Sequence, residues 1–133
     1  MRLSEPGKLP YLVLYHNTTP FMFVIDTGSS LSWTTPEVAG KMLLNNESKP
    51  IGEVHNAGYD IGISTTLRVY PIKGTAEDDI AQKFQVRLWF GEGTDKIREM
   101  NEHVKDKIHG ILGSDFLINN SVKIDMNRLK VYV

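Results

Sequence analysis

Turn clusters cut the chain into short runs of β-forming residues at fairly regular spacing, a rhythm that fits a mainly antiparallel sandwich or barrel. Residues 11–16 read as a strand, 17–20 as a turn, 21–25 as a buried strand and 31–34 as a return to extended structure. Residues 51–54 and 67–70 flank a glycine-punctuated stretch, 55–63, which reads as a long mobile hairpin. Phe84, Val86, Leu88 and Phe90 alternate with mostly polar neighbours and form the clearest strand pattern in the chain. Residues 122–125 and 129–133 close the chain as a hairpin about Met126-Asn127, whose turn takes in Asp125. Three helices interrupt this pattern. Thr35-Pro36-Glu37 gives a hydroxyl cap, a first-position proline and an early acid, which predicts a helix to residue 44. Thr94-Asp95 opens a second, with Ile97, Met100, Val104 and Ile108 on one face. Ser114 caps a third, single turn through Leu117. At 133 residues, without a repeat or linker, residues 1–133 form one domain with a single core.

One of these strands ends unusually. The apolar run Phe21-Met22-Phe23-Val24-Ile25 leads directly into Asp26-Thr27-Gly28-Ser29. A carboxylate at the end of a buried strand carries a desolvation cost that a plain turn does not need. Thr27 and Ser29 supply hydroxyls able to hydrogen-bond an ionised carboxylate, and Gly28 permits a close approach. The ordinary alternative is a strand-to-turn exit built from common turn residues. For chemistry, two carboxylates held about 3 Å apart share a proton, so that one activates water while the other protonates a carbonyl. Only Asp26 has the loop chemistry for this role. Its partner is either another carboxylate of the chain or a second copy of Asp26 across a two-fold axis.

Together with Ile111-Leu112-Gly113 and the following Phe116-Leu117, the Asp26 motif resembles the retropepsin-like aspartic peptidases, single-lobe relatives of pepsin that include the retroviral proteases. The resemblance spans roughly residues 11–133. It implies a closed retropepsin-like (acid protease) β-barrel with two or three short helices. It implies an aspartic endopeptidase whose Asp26 side chains form a catalytic dyad across a homodimer acting on peptide or protein substrates. In the family the threonine of this loop, here Thr27, bonds across the two-fold axis. Ser29 matches the residue that bonds the outer carboxylate oxygen, and Ile111-Leu112-Gly113 the segment passing beneath the loop. Asn56, Ala57, Gly58 and Tyr59 occupy the place of the flap that closes over peptide, with Gly58 and Gly62 giving it freedom. Trp33 has the offset of a tryptophan that partners a flap tyrosine in pepsin-like enzymes, and Tyr59 is its candidate here.

The chain also departs from that family. Retroviral enzymes pair acidic residues after their Asp-Thr-Gly-Ala with an Arg after the later glycine. Here Ser30 and Leu31 stand at the first place and Ser114-Asp115 at the second, so both halves are missing together. The acidic run Glu77-Asp78-Asp79 and the helix 95–108 exceed a minimal retroviral enzyme. Asp115 is a conceivable intrachain partner, although the first turn of a helix accounts for an acid there.

The rest of the sequence narrows the alternatives. Absence of cysteine excludes disulfides, zinc–thiolate sites and a cysteine nucleophile. His16, His55, His103 and His109 are scattered, and no metal or cofactor is expected. A formal net charge of −1 gives no reason to expect nucleic acid or an anionic membrane. No apolar run approaches the ~18 residues of a membrane span, and the first residues do not read as a signal peptide, which favours the cytoplasm. The rival to a peptidase is a catalytically weak or inactive retropepsin-like module that dimerises or grips peptide.

Overall fold

A computed structural model of the chain describes residues 2–3, 10–44, 46–55, 58–69, 82–120, 123–125 and 130–132, with side chains over 10–44, 46–54, 60–69 and 82–120. The elements, in order, are β1 (Arg2–Leu3), β2 (Pro10–His16), β3 (Thr19–Ile25), β4 (Trp33–Thr34), α1 (Pro36–Met42), β5 (Lys49–His55), β6 (Gly58–Val69), β7 (Gln82–Trp89), α2 (Glu92–Asn101), β8 (Gly110–Leu112), α3 (Ser114–Asn119), β9 (Lys123–Asp125) and β10 (Lys130–Tyr132). One sheet runs β1-β2-β3-β8-β4-β7-β6-β5, and a bridge from Tyr15 to Arg68 joins β2 to β6. That bridge closes six strands into a barrel. The described residues are therefore mainly β, with three short helices among them. Among the described residues, no helix is long and apolar enough to cross a membrane.

Most pairings are antiparallel, as the turn-rich pattern requires, but β8 enters between β3 and β4 and makes an exception. It runs parallel to β3, with Val24 opposite Ile111, and antiparallel to β4; β4 in turn runs parallel to β7. Gly110 makes the insertion possible, because a Cβ there would lie 2.4 Å from the Phe23 ring and 2.8 Å from the Trp33 carbonyl oxygen.

The uninterrupted apolar run of β3 follows from burial on both faces. Phe21 and Phe23 face the barrel interior with Leu14, Ile63, Leu67, Phe84, Leu88, Leu112 and Phe116. Val24 faces outward into a second cluster with Tyr11, Ile97, Ile108 and Ile111. Ile97 of α2 thus covers the outer face of β3 and β8, next to the point where β3 ends.

Several boundaries differ from the sequence reading. The turn after β2 is only Asn17-Thr18, Asn17 taking the left-handed conformation at φ 58°, and β3 already begins at Thr19. Extended structure resumes at Trp33 rather than Leu31. The hairpin read over 55–63 is present but longer, with β5 and β6 paired from Lys49↔Ser64 to His55↔Gly58. Helix α2 begins at Glu92 and ends at Asn101, not at residue 108. Asn101 stops it: its side chain donates to the Ile108 carbonyl at 2.8 Å and accepts from the Ile108 N–H at 2.6 Å. Ile108 reaches the outer cluster from a loop. Helix α3 runs on to Asn119, and its cap position is Gly113 with no side-chain cap bond, not Ser114. Asp125 is the last residue of β9, opposite Lys130, rather than part of the turn. Asn45, Tyr70, the run Glu77-Asp78-Asp79 and the turn Met126-Asn127 lie outside the described residues.

Candidate active site

Asp26 continues the line of β3, its N–H donating to the Leu112 carbonyl at 2.9 Å. The chain then turns sharply, with the Ser29 N–H donating to the Asp26 carbonyl at 3.0 Å. This turn swings the Gly28 N–H onto Asp26 Oδ1 at 3.0 Å. On the other side Lys96 Nζ, from α2, donates to Asp26 Oδ2 at 2.8 Å. The Lys96 hydrogen bond and charge, helped by the Gly28 N–H, hold the Asp26 carboxyl below its ordinary range against the opposing effect of burial. Asp26 is 20% exposed and opens onto a cavity of about 290 Å³, whose lining includes Gly28, Ser29, Ser30, Trp33, Lys96, Glu92 and Ile111. Thr27 is exposed at the tip of the turn.

The loop rests on the β8–α3 junction. Gly113 lies so close beneath it that a Cβ would sit 2.3 Å from the Leu31 carbonyl oxygen and 2.6 Å from that of Ser29. The Ser114 N–H donates to the Ser29 carbonyl at 2.8 Å. Ser32, fully buried, receives the Gly113 N–H on its hydroxyl at 2.9 Å and donates that hydroxyl to Asp115 Oδ1 at 2.7 Å. The Ser32 N–H adds a bond to Asp115 Oδ2 at 3.3 Å, and the Phe116 N–H one to Oδ1 at 2.7 Å.

Of the residues singled out in the sequence, Asp26, Gly28, Ser29, Trp33 and Ile111 share the cavity wall, with Leu112 and Gly113 directly beneath the loop. Ser29 behaves differently from the expectation. Its hydroxyl donates to the Leu31 carbonyl at 2.7 Å and accepts the Trp33 indole N–H at 3.2 Å, rather than bonding Asp26. Trp33 therefore steadies the loop from within. The suggested Trp33–Tyr59 pair lies outside the described residues, as do Asn56, Ala57 and the side chain of Tyr59; Gly58 pairs with His55 at the hairpin end.

Asp115 is held by Ser32 and the start of α3, so helix position alone does not account for it. The two chain segments whose ion pair is missing from the sequence are joined instead by the Ser32–Asp115 bonds. A larger cavity, about 500 Å³, lies against Asp115, Arg87, Gln85 and Asn119, but Asp26 is not in its wall. Size favours that cavity; the chemistry favours the smaller one, because Asp115 is bonded by Ser32 and the Phe116 N–H as a structural brace. Among the described residues no three His, Asp or Glu side chains converge as a metal site would need.

Sequence reasoning missed Ser32, Lys96 and Glu92. None carries a local signal: Ser32 reads as one more turn serine, and Lys96 meets Asp26 across 70 residues. Neither a scan against protein-family models nor a search of curated proteins finds a match to this chain.

Proposed function

We propose that this protein is a retropepsin-like aspartic endopeptidase, active as a homodimer in which two Asp26 side chains form the catalytic pair. The observation that carries the reading is the setting of Asp26: a carboxylate at the end of a buried strand, bonded by the Gly28 N–H, on a turn braced from beneath by Gly113. The parallel β3–β8 pairing supports it, since it fixes Asp26 against Leu112.

In the proposed mechanism the two carboxylates share one proton. The ionised one takes a proton from water as that water attacks the scissile carbonyl, and the protonated one gives its proton to the carbonyl oxygen. Thr27, exposed next to Asp26, is free to bond across the two-fold axis. The β5–β6 hairpin exposes Val54 and Ile61, apolar side chains suited to cover a bound peptide. The experiment is subunit poisoning. Asp26→Asn protein is added to wild type held at constant concentration, and mixed dimers with a single Asp should draw activity down. Activity indifferent to the added variant contradicts a shared pair.

A second reading, a dimeric peptide-binding module without turnover, is favoured by one observation. Lys96 neutralises Asp26, and a carboxylate held by an ammonium has no need to share a proton.

A further inference from the structure

Among the described residues, the charged side chains lining the Asp26 cavity are Asp26 itself, Glu92 and Lys96. Glu92 and Lys96 stand four residues apart on α2, with the acid on the N-terminal side, the orientation in which such pairs attract best on a helix. Lys96 thus has two carboxylates within its choice: Asp26, which it holds at 2.8 Å, and Glu92, one turn earlier on its own helix. Glu92 is exposed in the first turn of α2, where the helix end favours a negative charge.

We propose that Lys96 is a switchable counter-ion: it holds Asp26 of the unpaired subunit and passes to Glu92 when two Asp26 carboxylates meet. The inference rests on the peptidase reading and addresses the regulation of that site. Two Asp26 side chains each bound to an ammonium are both ionised, and such a pair has no proton to give the substrate carbonyl. Pairing therefore requires that the two carboxylates take up one proton from solvent and that the Lys96 ammonium lets go. Glu92 receives the released ammonium, so the single negative charge of the proton-sharing pair is left without a counter-ion and is free to activate water. Lys96 is half exposed, so the contact it gives up is weak enough to exchange.

The test follows the Asp26 carboxyl carbon by NMR through an acid titration, assigned against Asp26→Asn. In parallel, the protein concentration giving half-maximal peptide cleavage is measured. Lys96→Met should move the Asp26 midpoint upward and lower the half-maximal concentration by up to about fivefold, the scale of one half-exposed ion pair. Lys96→Arg keeps the cation and should restore wild-type behaviour. Glu92→Gln should act oppositely, lowering the Asp26 midpoint and raising the half-maximal concentration by about twofold. An Asp26 midpoint unmoved by Lys96→Met overturns the proposal, as does a Glu92→Gln effect in the same direction as Lys96→Met. If the midpoints move as stated while no variant cleaves peptide, the counter-ion exchange stands and the peptidase reading falls.

Discussion

Ser32 and Asp115, 83 residues apart, meet through a 2.7 Å hydroxyl–carboxylate bond beneath the Asp26 loop. The same Ser32 hydroxyl accepts the buried Gly113 N–H, so one side chain serves both the loop and the segment that supports it. Ser32→Ala leaves that N–H without its partner and removes one donor from Asp115. A loss of about 1–3 kcal/mol in urea unfolding is expected. Asp115→Asn keeps the shape but puts an amide N–H donor where an oxygen accepted, and a loss in the same direction is expected. A Ser32→Ala midpoint equal to wild type would show that the contact does not brace the loop.

Gly113 allows no side chain. A Cβ at this position meets backbone oxygens of Leu31 and Ser29, which cannot rotate away as a flexible side chain would. Gly113→Ala should cost about 1–3 kcal/mol or more and displace the turn that carries Asp26. The expected outcome is a protein that melts lower and loses function more than its stability explains. Full activity in a folded Gly113→Ala protein would separate Asp26 from its floor.

Acid should weaken the fold in two separate windows. His16 is buried, with its Nε2 2.9 Å from the Ser48 hydroxyl, and burial holds its ring below the ordinary value of 6.5. His109 is lowered for the same first reason, with Lys107 and Lys41 adding to it. The unfolded chain therefore binds more protons than the folded one as pH falls below 6.5, and stability declines from there. Asp26 and Glu47 are shifted downward too, chiefly by hydrogen bonds from Lys96 and Arg68. Their contributions are complete above the ordinary carboxylate values, 3.8 and 4.5, and disappear only at more acid pH. His16→Gln should flatten the upper window and leave the lower one intact, as read by urea unfolding across pH. An unchanged slope below neutrality would remove His16 from the account.

Much of the barrel was legible because its strands obey period two: Phe84, Val86 and Leu88 face inward as their alternation requires, and Thr35-Pro36 starts α1 where the cap signal stands. The end of α2 was not legible. Val104 and Ile108 keep helical spacing, yet only the Asn101 side chain, folded back on Ile108, decides that the helix has stopped. The β5–β6 hairpin was legible in its glycine-punctuated sequence but its full length was not, because its glycines are strand residues: Gly62 lies against the Leu88 carbonyl, a close approach that composition does not disclose. At the site, Asp26 and Gly28 were singled out by local motif chemistry and Gly113 by the resemblance its segment carries. Lys96 and Ser32 were not, since their roles arise from contacts across 70 and 83 residues.

If Asp26 performs hydrolysis as proposed, its replacement by Asn abolishes cleavage while leaving the fold intact. The most direct measurement incubates wild type and Asp26→Asn with a peptide library made by digesting denatured protein, from about pH 3 to 8, and reads the products by mass spectrometry. The expected result is a set of cuts made by wild type alone, while Asp26→Asn folds and self-associates as wild type does. Identical products from the two proteins, or none from either dimer, would contradict it.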